Sequence, residues 1–372
     1  MKVLHISNDF SGSKVHVNLY KELSKLGVRQ TIYCPVRSAE QIGGNEFIAD
    51  GTEVIYDFVI QPYHKYVYHI KRGAMFRSLQ KKVDLNKYDL CHAATLFSDG
   101  GQAYKIYQEY HIPYVVAVRN TDINGFLDLL PNTWPAGKKI LRNAEKIFFI
   151  SKALMNKFSN HKVIKPILPE IKDKMMLISN GIDDYYLDHV SHETRDGNKV
   201  LYVGDFSSNK NVYRLCQAIL ELRKDDAFRD VTLTLVGGGK NTNNEVQKMI
   251  DTHAGVFHYL GPVYDKEKLC DIFKTHSVFA MLSIHETFGL VYLEALSQNL
   301  PIVYTKGQGV DGLFDDSVGI GVNPFSVTEI KNAINTILNS KNQFSNNSID
   351  FEQFRWTNIA TKYRNLYKEI LD

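Results

Sequence analysis

The sequence predicts an α/β chain built from two doubly wound, Rossmann-like domains, each organised around a parallel sheet. Three observations carry this. Short apolar runs alternate with helical patterns from one end to the other, and strands separated by helices pair in parallel through right-handed crossovers. The length, 372 residues, exceeds what one ordinary core organises and suits two domains of similar size. With 44% hydrophobic and 12% aromatic residues the chain can fill both cores, which excludes a disordered protein.

In the first half, strands are expected at residues 3–7, 30–34, 53–56, 90–93, 114–118 and 146–150, with helices such as 15–26 and 101–110 between them. In the second half the runs 199–203, 231–236, 256–260, 277–282 and 302–304 repeat the theme. The polar, turn-rich stretch 183–198 has no clear period and reads as a linker, giving a first domain over 1–182 and a second over 199–350. Residues 351–372 read as one amphipathic helix with Trp356, Ile359, Tyr363 and Leu366 on its apolar side, able to pack back on the first domain. Ligands of doubly wound sheets bind at the carboxyl ends of the strands, so the loops that follow them are the places to look for chemistry.

Composition narrows the partners. The formal charge is only +3, so nothing global calls for nucleic acid. Cys34, Cys91, Cys216 and Cys270 are scattered singly without a CxxC pair, which points to buried free thiols in a reducing cytosol and to no metal site. The chain opens on a strand pattern without a signal region, and no apolar run approaches the roughly 20 residues that span a bilayer. A cytoplasmic protein is expected. Residues 63–87 mix aromatics with Lys and Arg, and two readings stay open: a patch that holds the protein peripherally on the inner membrane face, or a solvated helix with a few core aromatics.

The most informative stretch is Ser283-Ile284-His285-Glu286-Thr287-Phe288-Gly289-Leu290-Val291-Tyr292-Leu293-Glu294. Glu286 and Glu294 stand eight residues apart, the first in a loop that enters a helix, the second expected two turns along it. A helix start offers free N–H groups and the positive end of a dipole to a phosphate, while flanking carboxylates accept hydrogen bonds from sugar hydroxyls. Such a site would hold a sugar joined to a phosphate. Upstream, Gly204 ends a strand and is followed by a small-residue loop and Lys210, a plausible anion cradle or simply a solvated lysine. Gly237-Gly238-Gly239 ends another strand, either as a tight turn or as backbone that approaches a nucleotide, and it departs from GxGxxG. Gly261-Pro262-Val263 ends a third. In the first half, Gly12 lies in the loop after the first strand, His92 closes the fourth, Asp99 precedes a helix, and Arg119-Asn120-Thr121-Asp122 follows the fifth.

Taken together these pieces resemble the retaining nucleotide-sugar glycosyltransferases of the GT-B fold, the large E-x7-E group placed in family four, group 1. The resemblance covers most of the chain: the first strand and loop, residues 178–183, Gly204 to Lys210, Gly237–Gly239, residues 260–263, and above all Glu286 to Glu294. It implies two Rossmann-like domains facing across a cleft with a crossover helix at the end, and a hexose moved from a UDP- or GDP-linked donor to a saccharide or lipid-linked saccharide. Bacterial capsule, exopolysaccharide or lipopolysaccharide synthesis is the implied setting. Carried over, Glu286 holds the donor sugar and Glu294 the ribose. The N–H groups of Phe288, Gly289 and Leu290, with Thr287 beside them, receive the diphosphate together with Lys210. Gly204, Gly238 and Val263 border the nucleotide, and Gly12 lets the first-domain loop approach. Arg119 joins Glu286 and Lys210 as a catalytic residue, with His92, Asp99, Asn120 and Asp122 on the acceptor side. No cofactor or metal is expected beyond the nucleotide-sugar co-substrate, and no DxD stands in a convincing loop. Two positions depart from the family pattern: Asp205 where Arg commonly follows the glycine, and Arg119-Asn120 where a His-Gly pair is frequent. They give standing to one alternative, a catalytically silent sugar-nucleotide-binding partner of a glycosyltransferase complex; a nucleotide-sugar epimerase with the same two-domain frame is the other.

Overall fold

Val-, Ile- and aromatic-rich runs of three to eight residues, too short for helices, pair as strands in the computed structural model of the protein, which describes residues 1–65, 67–193, 197–239 and 243–372. Tyr66 of the basic segment, residues 194–196 of the expected linker and Lys240 lie outside the described residues. The chain divides into two compact units, one of Met1–Ile150, Leu154–Gly181 and Trp356–Asp372, the other of Ser151–Ala153 and Ile182–Arg355. Residues 183–193 and 197–198 of the polar stretch thus fall in the second unit, where Asp183 caps a short helix, Asp184–Asp188, by accepting from the Tyr185 N–H at 3.1 Å.

The first unit is a seven-stranded sheet in the order β3-β2-β1-β4-β5-β6-β7. Its strands are β1 (Lys2–Ile6), β2 (Arg29–Val36), β3 (Thr52–Phe58), β4 (Leu90–Ala93), β5 (Tyr114–Ala117), β6 (Lys146–Phe149) and β7 (Met175–Leu177). Every pairing is parallel, for example Val3↔Leu90 and Ile6↔Ala93 between β1 and β4. The second unit is a parallel six-stranded sheet, β10-β9-β8-β11-β12-β13, with β8 (Lys199–Gly204), β9 (Thr232–Gly237), β10 (Phe257–Gly261), β11 (Val278–Ala280), β12 (Ile302–Thr305) and β13 (Gly319–Val322). The expected α/β architecture of two doubly wound sheets is therefore present.

Two edge strands, β7 and β13, fall outside the runs expected from the sequence. β7 is three residues of Met and Leu, without β-branched side chains. β13 reads Gly-Ile-Gly-Val, and its glycine is a packing requirement: a Cβ on Gly319 would stand 1.9 Å from the Ile302 carbonyl oxygen.

The closing segment is a short turn, Phe351–Phe354, then extended Arg355, then a helix, Trp356–Leu371, rather than one helix throughout. Asp350 caps the turn by accepting from the Glu352 N–H, and Arg355 at φ −70°, ψ 130° breaks the helical path. Trp356, Ile359, Tyr363, Leu366 and Tyr367 are buried and join the core of the first unit with Val17, Tyr20 and Leu23 of the helix Lys14–Lys25.

Both sheets reverse strand order once, between β1 and β4 in the first unit and between β8 and β11 in the second. At such a switch point the loops leaving adjacent strands diverge to opposite faces and open a crevice at their carboxyl ends.

Candidate functional site

The second unit gathers its chemistry at the switch point. The loop after β8 and the loop after β11 are stitched together by Asn209, whose backbone carbonyl accepts from the Ile284 N–H at 2.8 Å. Its side chain accepts from the His285 N–H at 3.0 Å and donates to the His285 carbonyl at 3.1 Å. This fixes Lys210 against Glu286, with Nζ to Oε2 at 2.8 Å and both side chains largely withdrawn from solvent. Oε2 also accepts from Ser283 Oγ at 3.1 Å, and Oε1 from the Thr287 N–H at 3.2 Å. The Glu286 backbone is held from the other side by Gln308 Oε1, which accepts its N–H at 3.2 Å, and by the Gly309 N–H, which donates to its carbonyl at 3.0 Å. A carboxylate offers about four lone-pair positions, so three donors leave Glu286 roughly one for a ligand.

Gly289 opens the helix Leu290–Ser297 at φ +80°, a left-handed conformation that glycine adopts without strain. Among the described residues the N–H groups of Phe288, Gly289 and Leu290 carry no intramolecular hydrogen bond, and the buried Phe288 ring anchors the turn that presents them. Free donors at the positive end of a helix are a place for an anion. Glu294 is the fifth residue of this helix, one turn in rather than two, because the helix starts only at Leu290. Its carboxyl has no hydrogen-bond partner among the described residues. Burial first, and the negative charge of Asp183 second, push it up to about 7, against the pull of Lys266.

The neighbouring glycines follow from close approach. A Cβ on Gly237 would sit 2.0 Å from the Gly204 carbonyl oxygen, so β8 and β9 can end side by side only with glycine there. Gly238 takes φ +93°, and Val263 lies half-buried beyond the end of β10. Asp205 is exposed, and its carboxylate accepts from the Ser207 N–H at 2.8 Å, so it shapes the loop that carries Lys210. That is a local reason for an acid where the family pattern has a base.

In the first unit the loops after β1 and β4 line a cavity of about 520 Å³ with walls that include Asn8, Asp9, Thr95, Ser98, Asp122 and Phe126. Gly12 lies in the β1 loop, where a Cβ would meet nothing within 4 Å. Asp122 opens a wide helical turn, Asp122–Leu127, and its carboxylate accepts the N–H groups of Leu96, Phe97 and Arg119 at 3.1, 3.1 and 2.8 Å. Burial raises it to about 6, opposed by those three donors. Asn120 stands in the same turn. Arg119 is half-buried, donating from Nε to the Ala94 carbonyl at 3.2 Å. Asp99 is fully buried behind the cavity and meets it through Asn8, whose Nδ2 donates to it at 3.0 Å; burial is the main reason it rises to about 7.

His92 corrects the expectation that it faces an acceptor. It is buried, stacks on Tyr363 at 5.5 Å between ring centres, and bonds through Nδ1 to the Tyr367 hydroxyl at 2.6 Å. Burial lowers it to about 3, so it is a neutral core histidine under the closing helix. Its position at a strand end had suggested otherwise, because alternation alone does not say which face of β4 meets the helix.

The roles of Ser283, Asn209 and Gln308 were not anticipated, although Ser283 and Gln308 stand three positions, and Asn209 five, beyond a strand end. Lys71, within the segment that reads as a membrane patch or a solvated helix, lines the first-unit cavity. Among the described residues no group of acidic, His and Cys side chains could hold a metal ion, and no helix is long and apolar enough to cross a membrane.

Residues 11–185 match the family model described as Glycosyltransferase Family 4, and residues 187–350 that described as Glycosyl transferases group 1. The chain is 22% identical over 363 residues to a Bacillus subtilis glycosyltransferase assigned provisionally to teichuronic acid biosynthesis, covering 90% of this chain and 88% of that one. In three dimensions it resembles a sucrose-phosphate synthase of Thermosynechococcus elongatus, with TM-score 0.74 and 17% identity over 100% of this chain and 99% of the other. It also resembles the Anabaena protein HepE solved with UDP and glucose, with TM-score 0.69 and 16% identity over 99% and 100%.

Proposed function

We propose that this chain, whose two halves match glycosyltransferase family models, is a retaining, metal-independent hexosyltransferase that draws on a nucleotide-diphosphate sugar and extends a bacterial surface polysaccharide. The observation that carries this is the second-unit switch point, where Glu286, Lys210 and three unbonded N–H groups converge on the start of one helix. The N–H groups of Phe288, Gly289 and Leu290 receive the diphosphate. Lys210 moves toward it, and the acceptor position that Lys210 vacates on Glu286 becomes available to a sugar hydroxyl. Binding of the diphosphate and grip on the sugar are thereby coupled. As the bond to the anomeric carbon breaks, negative charge grows on the leaving diphosphate, and donors already aimed there stabilise that charge without reorganising. The same oxygens can take the acceptor's proton, so no further base is required. A surface-polysaccharide setting is supported by the provisional role of the B. subtilis relative, and UDP as the donor nucleotide by the ligands in the Anabaena protein.

A thermal-shift comparison of UDP, GDP and ADP with their hexose conjugates tests the reading. A true donor at 100 times its dissociation constant adds about 2.7 kcal/mol of stability, and a screen in which no nucleotide moves the transition removes the proposal.

Glu294 supplies a pH signature. Accepting hydrogen bonds from ribose hydroxyls favours the ionised carboxylate, so binding below pH 7 must expel a proton from a group held up at about 7. Affinity for UDP-glucose, which does not itself titrate in this range, rises close to tenfold between pH 6 and 8 as the ionised fraction grows from about 10% to about 90%. Calorimetry on Glu294→Gln should give a flat profile; the same slope in that variant would assign the titration elsewhere.

A further inference from the structure

The cavity of the first unit carries donors that the protein leaves without acceptors. Lys71 lines it from the helix Tyr68–Lys82, and among the described residues its ammonium donates to Ser98 Oγ alone, at 3.0 Å. Arg37 lines it from the loop after β2, and its guanidinium makes no hydrogen bond or ion pair among the described residues. His64 lines it from a short turn, Pro62–Lys65, and is buried. The Gln61 N–H donates to His64 Nδ1 at 3.1 Å, which puts the hydrogen of the neutral ring on Nε2, and that buried nitrogen has no partner among the described residues. A buried donor without an acceptor, as at His64 Nε2, is costly unless a ligand completes it, and the half-buried Lys71 ammonium has no ion pair within reach among the described residues.

The wall's own carboxylates do not complete them. Asp122 is occupied by three backbone N–H groups, and Asp9 stands on the exposed loop after β1 with no ion pair to Lys71. Part of the lining is apolar: Phe126, Leu129 and Leu130. Phe126 is stacked on Phe97 at 4.6 Å between ring centres, and Leu129 is 71% exposed beside it. An aromatic and aliphatic shelf suits the C–H face of a sugar ring.

From this geometry we infer that the first-unit cavity takes an acidic saccharide, its phosphate or carboxylate group received by Lys71, Arg37 and His64 Nε2 and its ring laid against Phe126. The inference rests on the transferase reading and specifies its acceptor. Burial lowers the Lys71 ammonium and the positive charge of Arg37 adds to it, while the buried carboxyl of Asp99 and that of Asp9 oppose the shift without cancelling it, so an arriving anion still favours the charged amine.

Calorimetry on the full chain at pH 7.5 with glucose 6-phosphate, glucuronic acid and glucose tests it. At least one acidic probe should bind ten times or more tighter than glucose; the phosphate ester leading identifies a phosphosaccharide, and the uronate leading identifies a uronosyl acceptor. Lys71→Met should reduce that margin to about threefold or less, and Lys71→Arg should keep most of it. Should Lys71→Met fail to melt cooperatively, Arg37→Met at its exposed position carries the comparison. Acidic probes no tighter than glucose, or a margin that survives both substitutions, overturns the inference. UDP titrated in parallel separates the two readings: acid binding with no UDP binding removes the transferase, and UDP binding with no acid preference removes only the acceptor class.

Discussion

Glu286→Ala is expected to lower the rate of hexose transfer by about 10²–10³-fold while leaving the dissociation constant for free UDP within about twofold, the scale on which loss of one preorganised electrostatic contact acts. The reason is the division of labour at the loop after β11. In the proposed reading the nucleotide is held by the helix start and Glu294, and the hexose by the Glu286 carboxylate, which Ser283, Lys210 and the Thr287 N–H keep in one orientation. Removing it also leaves Lys210 without its partner. Side chains that retain 21% and 13% of their exposure hold some contact with water, so the stability lost is about 1–2 kcal/mol rather than the larger penalty of a fully buried pair. A release assay for the nucleotide diphosphate, run beside calorimetry with UDP, measures both sides. Equal loss of UDP affinity would mean that Glu286 serves the nucleotide and that the sugar is held by another group.

What the sequence disclosed follows from what periodicity encodes. β1, β4, β8 and β11 are apolar, and the loops leaving them carry Asn8, Thr95, Lys210 and Glu286, so the switch points were legible as strand ends with polar successors. β13 was not, because glycines chosen for close approach erase an apolar pattern. His92 and Lys71 show a second kind of blindness. A strand's alternation says that successive side chains face opposite ways but not which face a distant helix covers, and Tyr363 and Tyr367 lie some 270 residues downstream. The helix Tyr68–Lys82 buries Tyr68, Met75, Phe76 and Leu79, a periodic face that leaves its bases to surrounding chemistry. Lys71, Arg37 and His64 come from three separate elements, and no local pattern announces that they meet.

Lys210→Met separates two roles that one geometry allows. If the ammonium receives the diphosphate, its loss raises the dissociation constant for UDP about ten- to a hundredfold, as for a hydrogen bond to a charged group worth about 1.5–3 kcal/mol, and leaves uridine unaffected. If its task is only to neutralise Glu286, the variant suffers because a bare carboxylate repels the incoming phosphates, and the double variant Lys210→Met, Glu286→Gln should recover UDP affinity by removing that repulsion. The 2.8 Å contact between the two side chains makes both outcomes physically reasonable in the free protein. The unbonded N–H groups of Phe288, Gly289 and Leu290 decide the expectation: a diphosphate seated on them brings a dense negative charge beside the Lys210 ammonium, and a cation on a flexible four-carbon stem follows the greater charge. The double variant is therefore expected to stay as weak for UDP as Lys210→Met alone; recovery to within about threefold of the parent would return Lys210 to a supporting role for Glu286.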